Sequence, residues 1–489
     1  MHSSFSSVDW FVFIAYFLLL AISSFMFSRI KIKSSREYFV SASSMPMFGV
    51  AISVLATSQS AATFLGGPEF SFKYDFTFIG FYFSALLGVI FVAFVLIPKF
   101  YAIRAITVYE LLESRYGEKA KKQAGIMFLI GRVMASGARL YIGALAISMI
   151  LFGDISFWHL LASIGILILG ALSYAYFGGI KSIILSDIIQ AVTYVGAGVV
   201  VLVFLYYSLE GIDILSTLNE SNKLRFIDTS LDGKFSVIGL LTGWLLLNIA
   251  AFGLDQDMTQ RVLSCKNKQE AAKSLILSIL LTIPVVLLFL SIGALLFVFY
   301  QNTTIEQNFN GENITIFMYY ILNEMPDGLR GLVTVGAIAA ALSSTNSVLG
   351  AMASVAVEDL YRPWKTKRDK VDEMHFVMVS RLAVVFFAIV LSGMAIVSYF
   401  WQKYSDLSLI SFALGVMAFA YTGLLGVFFS AIFTKRGNAT LVPFALVGGF
   451  LSVLALQPYT FGISIGFSWQ IVIGTIVAFS IMQLGDSNE

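Results

Sequence analysis

A series of long apolar runs is the strongest constraint on how this chain folds. A helix needs about 20 apolar residues to cross the roughly 30 Å hydrocarbon core of a bilayer. Only 12% of the residues are charged, against about 25% in an ordinary soluble domain. The chain is therefore predicted to be an all-α polytopic membrane protein with about 13 transmembrane helices. The thirteen runs lie at 8–28, 46–68, 76–98, 124–152, 156–177, 182–207, 236–257, 274–300, 328–356, 375–400, 408–433, 439–457 and 466–484.

Basic residues in the connecting loops indicate the orientation. Of the 31 Lys and Arg residues, 22 lie in one alternating set of loops and six in the other. Cytoplasmic loops carry the excess of Lys and Arg, so the first set is predicted to be cytoplasmic. The N-terminus is then outside and the C-terminus inside. Because the basic residues sit in short loops between apolar spans, the net charge of +2 does not indicate nucleic acid as a partner.

One apolar run, at 331–361, carries five consecutive polar residues, Ser343, Ser344, Thr345, Asn346 and Ser347. Hydrocarbon penalises unpaired polar groups, so these residues should face protein or a water-filled cavity. If the helix opens here, the Ala340 carbonyl and the Ser343 and Ser344 hydroxyls converge. Such oxygen donors suit a small alkali cation. The alternative is that small residues only allow close helix packing.

Two other runs are interrupted by glycine and polar residues. The run at 46–68 contains Thr57, Ser58, Gln59 and Ser60, and the run at 236–257 contains Gly243, Asn248 and Gly253. Interrupted helices in corresponding positions are typical of transporters built from inverted repeats with a midplane site. Their spacing of five spans gives the two halves opposite topology, as inversion requires.

Arg132 and Arg139 are basic residues inside a span. Ionisable residues in this position are functional candidates. Because they are seven residues apart, they lie on one face of a helix. Arg132 could bind a substrate carboxylate in a bidentate manner, or it could pair with an acid on a neighbouring helix.

Three acidic residues lie in or near the spans. Asp187 could ligate a second cation, lie on an ion exit path or accept hydrogen bonds as a structural anchor. Asp255 and Asp257 are interpreted as solvated charges at the inner membrane edge, with Arg261 four residues beyond Asp257 in a spacing that suits an ion pair.

The sequence does not favour an enzyme. It has no Walker loop and no HExxH motif, and its single cysteine, Cys265, excludes a multi-cysteine metal site. Three other classes stay open: a channel, a proton-coupled carrier that uses Asp187, and a sensing protein that kept a transporter fold.

Three stretches carry a family resemblance: FGGIKSIILSD at 177–187, DQDMTQRVLSCKN at 255–267, and AAALSSTNS at 339–347 followed by DLY. With them the chain resembles the sodium:solute symporter family over about residues 8–440. The resemblance implies a leucine-transporter-like fold with two inverted five-helix repeats, at 46–207 and 208–433. An extra N-terminal helix and loop would occupy 1–45, and two C-terminal helices would occupy 434–489.

The resemblance also implies sodium ligands. The first site would use the backbone carbonyls of Ala56, Gln59 and Ala340 and the hydroxyls of Ser343 and Ser344. A second site, as in sialic acid transporters of the family, would use Asp187, Ser343 and Ser347. Asn346 stands where that second site has a serine, so the number of sodium ions is left open.

The substrate residues implied by the resemblance are seven. Five match positions of the sialic acid pocket, namely Ser58, Ser60, Thr63, Phe78 and Arg132. Tyr82 stands where that pocket has a glutamine, and Asn248 matches a sugar-binding asparagine. Ala251 stands where members of the family have an aromatic gate residue, so the gate is left unassigned.

The expected function is sodium-coupled secondary active symport of a small polar solute. A sugar acid or amino sugar such as sialic acid ranks first, followed by monocarboxylates and then proline-like amino acids. Sodium is expected as the transported, coupling ion. The protein is expected to be a monomer or weak oligomer in the lipid bilayer of a bacterial inner membrane.

Overall fold

The computed structural model of this protein describes residues 5–29, 31–231, 233–300, 308–309, 312–403, 409–462 and 465–486. These residues are predominantly helical. The described strands form one hairpin, in which β1 (Asn308–Phe309) pairs antiparallel with β2 (Glu312–Asn313).

The helices are, in chain order, α1 (Ser7–Ser28), α2 (Ser35–Val40), α3 (Met47–Ser58), α4 (Ala61–Lys73), α5 (Ile79–Phe91), α6 (Ile97–Ala102), α7 (Glu110–Tyr116), α8 (Glu118–Phe152), α9 (Phe157–Ser208), α10 (Ile214–Glu220), α11 (Val237–Leu241), α12 (Gly243–Gly253), α13 (Gln256–Val262), α14 (Lys268–Phe299), α15 (Ile316–Asn323), α16 (Leu329–Ser354), α17 (Arg362–Thr366), α18 (Glu373–Lys403), α19 (Leu409–Phe433), α20 (Val442–Ala455), α21 (Pro458–Phe461) and α22 (Phe467–Gln483). A 3₁₀ turn at Ser41–Ser43 follows α2. Wider π-helical stretches at Val92–Leu96 and Val355–Tyr361 join α5 to α6 and α16 to α17.

Seven helical spans within the described ranges are long and apolar enough to cross a membrane: α1, α5 with α6, α8, α9, α14, α16 with α17, and α18. Two bent pairs, α3 with α4 and α11–α12 with α13, bring the number to as many as nine. The shorter apolar helices α20 and α22 and the 418–433 part of α19 lie at the last three predicted spans. The polytopic, predominantly helical architecture is as predicted, and the count of thirteen stays a prediction.

Helix α9 covers two of the predicted spans, 156–177 and 182–207, without a loop between them. A straight helix of 52 residues would be about 78 Å long, more than twice the thickness of the hydrocarbon core. Gly179 interrupts it with φ 56° and ψ −150°, a conformation that only glycine adopts readily. The two spans therefore meet at a kink.

The two interrupted runs are broken where polar residues occur. Helices α3 and α4 meet at 63° across Gln59 and Ser60, both with extended backbone. The pair α12 and α13 meets at 57° beside Asp255, whose side chain caps α13 by accepting from the Asp257 amide. Each break leaves the last carbonyls of the preceding helix without intrahelical partners.

Helix α16 positions these breaks relative to each other. It packs against α8 and α9 and also contacts α3, α4 and α13. The polar run of α16 therefore faces the two broken pairs and not lipid, as its composition predicts.

Candidate functional site

Ser344 joins α16 to the break between α3 and α4. Its hydroxyl donates to the Ala340 carbonyl at 2.9 Å and lies 3.3 Å from the Gln59 carbonyl. Three of the five predicted ligands of the first sodium site thus meet at one point. Ala56 lies in the last turn of α3, whose carbonyls lose their amide partners because the helix ends at Ser58.

Ser343, the remaining predicted ligand, faces an acid. Its hydroxyl donates to Asp187 at 2.7 Å. Asp187 is fully buried and also accepts from Ser53 and from the Arg261 guanidinium, at 3.4 Å from Nε and 3.2 Å from Nη2. Three roles were considered for Asp187. These hydrogen bonds are those expected of a structural anchor.

Arg261 occupies the space between two predicted ligands of the second sodium site. Its guanidinium contacts both Asp187 and the Ser347 hydroxyl. The neighbouring Asn346 donates to Ser186 at 3.5 Å, and its buried Oδ1 accepts no hydrogen bond among the described residues. Arg261, which the sequence analysis considered only as an ion-pair partner at the inner membrane edge, thus lies within this cluster.

The interpretation of Asp255 and Asp257 as solvated charges at the membrane edge is wrong. Both residues are 1% exposed, and Arg261 is 0% exposed. Asp257 and Arg261 form the predicted ion pair at 3.1 Å, and Arg132 pairs with Asp257 and, at 3.3 Å, with Asp255. The bend beside Leu254 turns α13 into the bundle, between α3 and α16, instead of leaving it at the surface.

The predicted substrate residues surround one cavity. They come from four places in the fold: α8, α12, the start of α5, and the region around the break between α3 and α4. Their grouping is the geometry expected of a binding pocket, while their role in binding stays a prediction. The seven are Ser58, Ser60, Thr63, Phe78, Tyr82, Arg132 and Asn248.

The cavity combines an aromatic wall with polar groups. Phe78 and Tyr82 meet edge to face with ring centroids 5.7 Å apart. Asn248 is fully buried; its amide nitrogen lies 3.4 Å from the Phe81 carbonyl, and its Oδ1 accepts no hydrogen bond from the described residues. Because a buried acceptor without a partner is costly, this oxygen is suited to a ligand hydroxyl or amide.

Gln59 connects the cavity with the first cation site. Its side-chain amide donates to the Tyr82 hydroxyl at 3.4 Å, while its backbone carbonyl is the one that Ser344 approaches. Gln59 therefore contacts a cavity residue through its side chain and a residue of the predicted cation site through its backbone.

Several cavity residues were not assigned to the site from the sequence. Asp255 and Tyr421 line the cavity, and the Tyr421 hydroxyl donates to Asp255. Arg139 also lines it, two turns beyond Arg132 on the face that their spacing predicts. Tyr421 lies on α19, far away in the chain, so no local pattern could have associated it with the pocket. Ala251, at the unassigned gate position, lies in the same lining.

Comparisons with known proteins assign the chain to a group of transporters. It is 29% identical to the sodium/sialic acid symporter NanT of Aliivibrio fischeri over 98% of this chain and 93% of that protein. It is 27% identical to the sodium/sialic acid symporter SiaT of Proteus mirabilis, over 96% of this chain and 93% of that protein. Sodium-coupled monocarboxylate transporter 1 of Xenopus laevis is 25% identical over 91% of this chain and 71% of that protein.

Solved structures identify the fold. A Na⁺-coupled sialic acid symporter in a substrate-bound outward-open state matches with a TM-score of 0.81 and 25% identity, over 98% of this chain and 97% of that one. A nucleobase-cation-symport-1 family transporter in a closed conformation matches with a TM-score of 0.55 and 14% identity, over 91% and 93%. Both matches confirm the leucine-transporter-like fold.

A model of the sodium:solute symporter family matches residues 38–450, which is most of the chain. The coupling ion of such transporters is sodium, as predicted. This chain is a member of the sodium:solute symporter family.

Proposed function

We propose that this protein imports a sugar acid of the sialic acid type together with sodium. The observation that carries the proposal is the composition of the cavity. It places arginines on one side, hydroxyl groups at the break between α3 and α4, a buried asparagine on α12 and an aromatic wall. NanT and SiaT, which match this chain over 93% of their own lengths, are named for sialic acid.

Each part of a sugar acid has a suitable partner in this cavity. A carboxylate binds a guanidinium group through charge-assisted hydrogen bonds, and Arg132 and Arg139 supply two such groups. Ser58, Ser60 and Thr63 supply hydroxyls that both donate and accept. The buried Asn248 Oδ1 suits a ring hydroxyl or an amide hydrogen.

Sodium coupling would follow from the shared helix break. A cation held by the Gln59 and Ala340 carbonyls and by Ser344 would hold α3 against α16. Substrate would then bind to residues on the other side of the same break. Coupling requires each ligand to bind one conformation more tightly than the other, and a negative-inside potential adds about 2.3 kcal/mol per charge per 100 mV.

Two alternative functions are less well supported. A monocarboxylate would bind the arginines and make no use of the three hydroxyls or of the Asn248 Oδ1, which accepts no hydrogen bond from the described residues. A proton-coupled carrier would need a titrating acid, whereas Asp187 lies in an ion pair with Arg261 and accepts two serine hydroxyls.

The experiment is calorimetry on the purified protein with sialic acid, a neutral hexose, lactate and proline, each in sodium and then in potassium. We expect heat of binding for sialic acid in sodium and not in potassium. Heat for lactate in place of sialic acid would assign the protein to monocarboxylates. Binding of the same strength in both salts would overturn sodium coupling.

The location and orientation are part of the proposal. The protein would lie in a bacterial inner membrane with its N-terminus outside and its C-terminus in the cytoplasm. The two repeats would comprise residues 46–207 and 208–433, each containing one of the bent pairs. The similar bends of 63° and 57°, five spans apart, support this division.

A further inference from the structure

A continuous chain of buried charges leads from the cavity to the polar run of α16. Arg132 lines the cavity and donates through Nη2 to Asp257. Asp257 Oδ1 accepts from Arg261 at 3.1 Å. Arg261 Nη2 lies 3.2 Å from Asp187 Oδ2, and the other oxygen of Asp187 accepts from Ser343 at 2.7 Å. Three side chains thus connect the cavity residue Arg132 to the predicted sodium ligand Ser343 through four direct contacts; they are those of Asp257, Arg261 and Asp187.

The members of this chain have almost no contact with solvent. The exposed fractions of the Arg132, Asp257, Arg261 and Asp187 side chains are between 0% and 3%. Charges in a protein interior interact more strongly than charges in water and are screened little by salt. A change in the partner of one charged side chain therefore changes the electrostatic interactions of the next charged side chain.

The charges of the cluster are balanced. Three arginines, Arg132, Arg139 and Arg261, accompany three aspartates, Asp187, Asp255 and Asp257. An ion that enters such a cluster must displace an existing pair or be accompanied by an opposite charge, because an uncompensated buried charge is costly. Binding of an anion and binding of a cation thus favour each other.

We propose that Asp257 couples substrate binding to sodium binding, an inference that rests on the proposed function. A substrate carboxylate at Arg132 draws this guanidinium away from Asp257. Asp257 then interacts more strongly with Arg261, and Arg261 neutralises Asp187 less. The freed charge on Asp187 polarises the Ser343 hydroxyl, whose oxygen becomes a better ligand for sodium. By thermodynamic reciprocity, sodium strengthens carboxylate binding by the same factor.

Asp255 provides a matched comparison, because it lies two residues away and has the same charge and burial. Its described contacts are with Arg132, Tyr421 and the Asp257 amide, and none of them is with Arg261. Asp255 therefore touches the cavity end of the chain of charges without forming the link to Asp187. Asp257 is a positioning residue by this reasoning, since it acts through Arg132 and Arg261.

The experiment measures the factor by which sodium, in place of potassium, tightens sialic acid binding in the wild type and in two variants. We expect this factor to fall at least about fivefold in Asp257→Asn, within the usual range of allosteric coupling. Asp255→Asn should bind sialic acid more weakly and keep the wild-type factor. Asp257→Glu, which restores the charge, should recover most of the coupling.

An unchanged factor in Asp257→Asn, or an equal loss in Asp255→Asn, would overturn the inference. Removing one partner from buried pairs can prevent folding. In that case Arg261→Lys tests the same link, because a lysine keeps the charge but cannot bridge two carboxylates as a planar guanidinium does. Arg261→Lys should lose the coupling as well. If sodium tightens sialic acid binding in this variant by the same factor as in the wild type, the proposal is contradicted. A wild type that binds sialic acid equally in both salts would refute the proposed function instead.

Discussion

Ser344 is the residue of α16 whose hydroxyl lies at the break between α3 and α4. Its hydroxyl reaches one carbonyl on its own helix, that of Ala340, and one at the break, that of Gln59. Two carbonyl oxygens and a hydroxyl oxygen gathered at this point would give a cation three oxygen ligands. A cation that enters there would replace the hydrogen bonds that Ser344 now makes.

Replacing Ser344 by alanine should weaken sodium binding about tenfold. The variant loses one oxygen ligand, and one contact with a charged group contributes about 1.5 kcal/mol. The measurement is the sodium concentration that gives half-maximal sialic acid uptake in proteoliposomes. Thr345→Val is the control, since the Thr345 hydroxyl bonds only to Ala341 of its own helix among the described contacts. An unchanged sodium requirement in Ser344→Ala would remove Ser344 from the ligand set.

Cys265, the single cysteine, should not react with thiol reagents in the folded protein. It is 0% exposed, and burial raises the pKa of its thiol to about 12. Only the thiolate is nucleophilic, so at pH 7 the reactive form is scarce and shielded. Mass spectrometry after maleimide treatment should show an unmodified native protein and complete labelling after denaturation. Rapid labelling of the native protein would contradict this placement.

Asp257 shows which residue roles can be predicted from sequence and which cannot. The spacing of Asp257 and Arg261 predicts their ion pair correctly, because a helix fixes the distance between residues four apart. Their burial was not predicted, since hydropathy along the chain does not show that α13 turns into the bundle. The alternative that Arg132 pairs with an acid of another helix was foreseen, but its partners Asp255 and Asp257 were not.

The kink in α9 determines the directions of the two predicted spans that this helix contains. Gly179 has a positive φ, and a Cβ at this position would lie 2.3 Å from the Tyr38 carbonyl oxygen. A backbone oxygen cannot move aside as a flexible side chain can. The same residue thus provides the conformation of the kink and the close contact with α2.

Replacing Gly179 by alanine should destabilise the protein. The strained backbone alone costs about 1–3 kcal/mol, and the contact with Tyr38 adds to it. Gly196→Ala lies on the same helix with no atom within 4 Å of the added methyl group, so it should melt like the wild type. Thermal unfolding in detergent, followed by intrinsic fluorescence, compares the two. Equal melting temperatures would show that the kink tolerates a side chain.

The broken elements were predictable because their cause is local. Polar residues and glycines interrupt the runs at 46–68 and 236–257, and both runs are bent at these places. The boundary between the spans at 156–177 and 182–207 was also predictable, and Gly179 departs from helical geometry at this place. The absence of a connecting loop was not predictable, because Lys181 and the adjacent glycines resemble a loop in the sequence.

For the molecule as a whole, the distribution of basic residues is the basis for its orientation. The set of loops with 22 Lys and Arg residues is predicted to be cytoplasmic and the set with six to be outside. Glu210, just after α9, belongs to the outer set, and Lys370, between α17 and α18, belongs to the cytoplasmic set. Both side chains are exposed.

Cysteines introduced at these two positions should therefore report the orientation, since the native Cys265 is expected to remain silent. On intact cells, a membrane-impermeant maleimide should label Glu210→Cys and leave Lys370→Cys unmodified. Permeabilising the cells should expose the second position to the reagent, because the barrier is the membrane and not the fold. The reverse pattern would mean that the chain is inserted with its basic loops outside. Labelling of both positions in intact cells would show that the membrane does not separate the two loops that α10 to α17 connect.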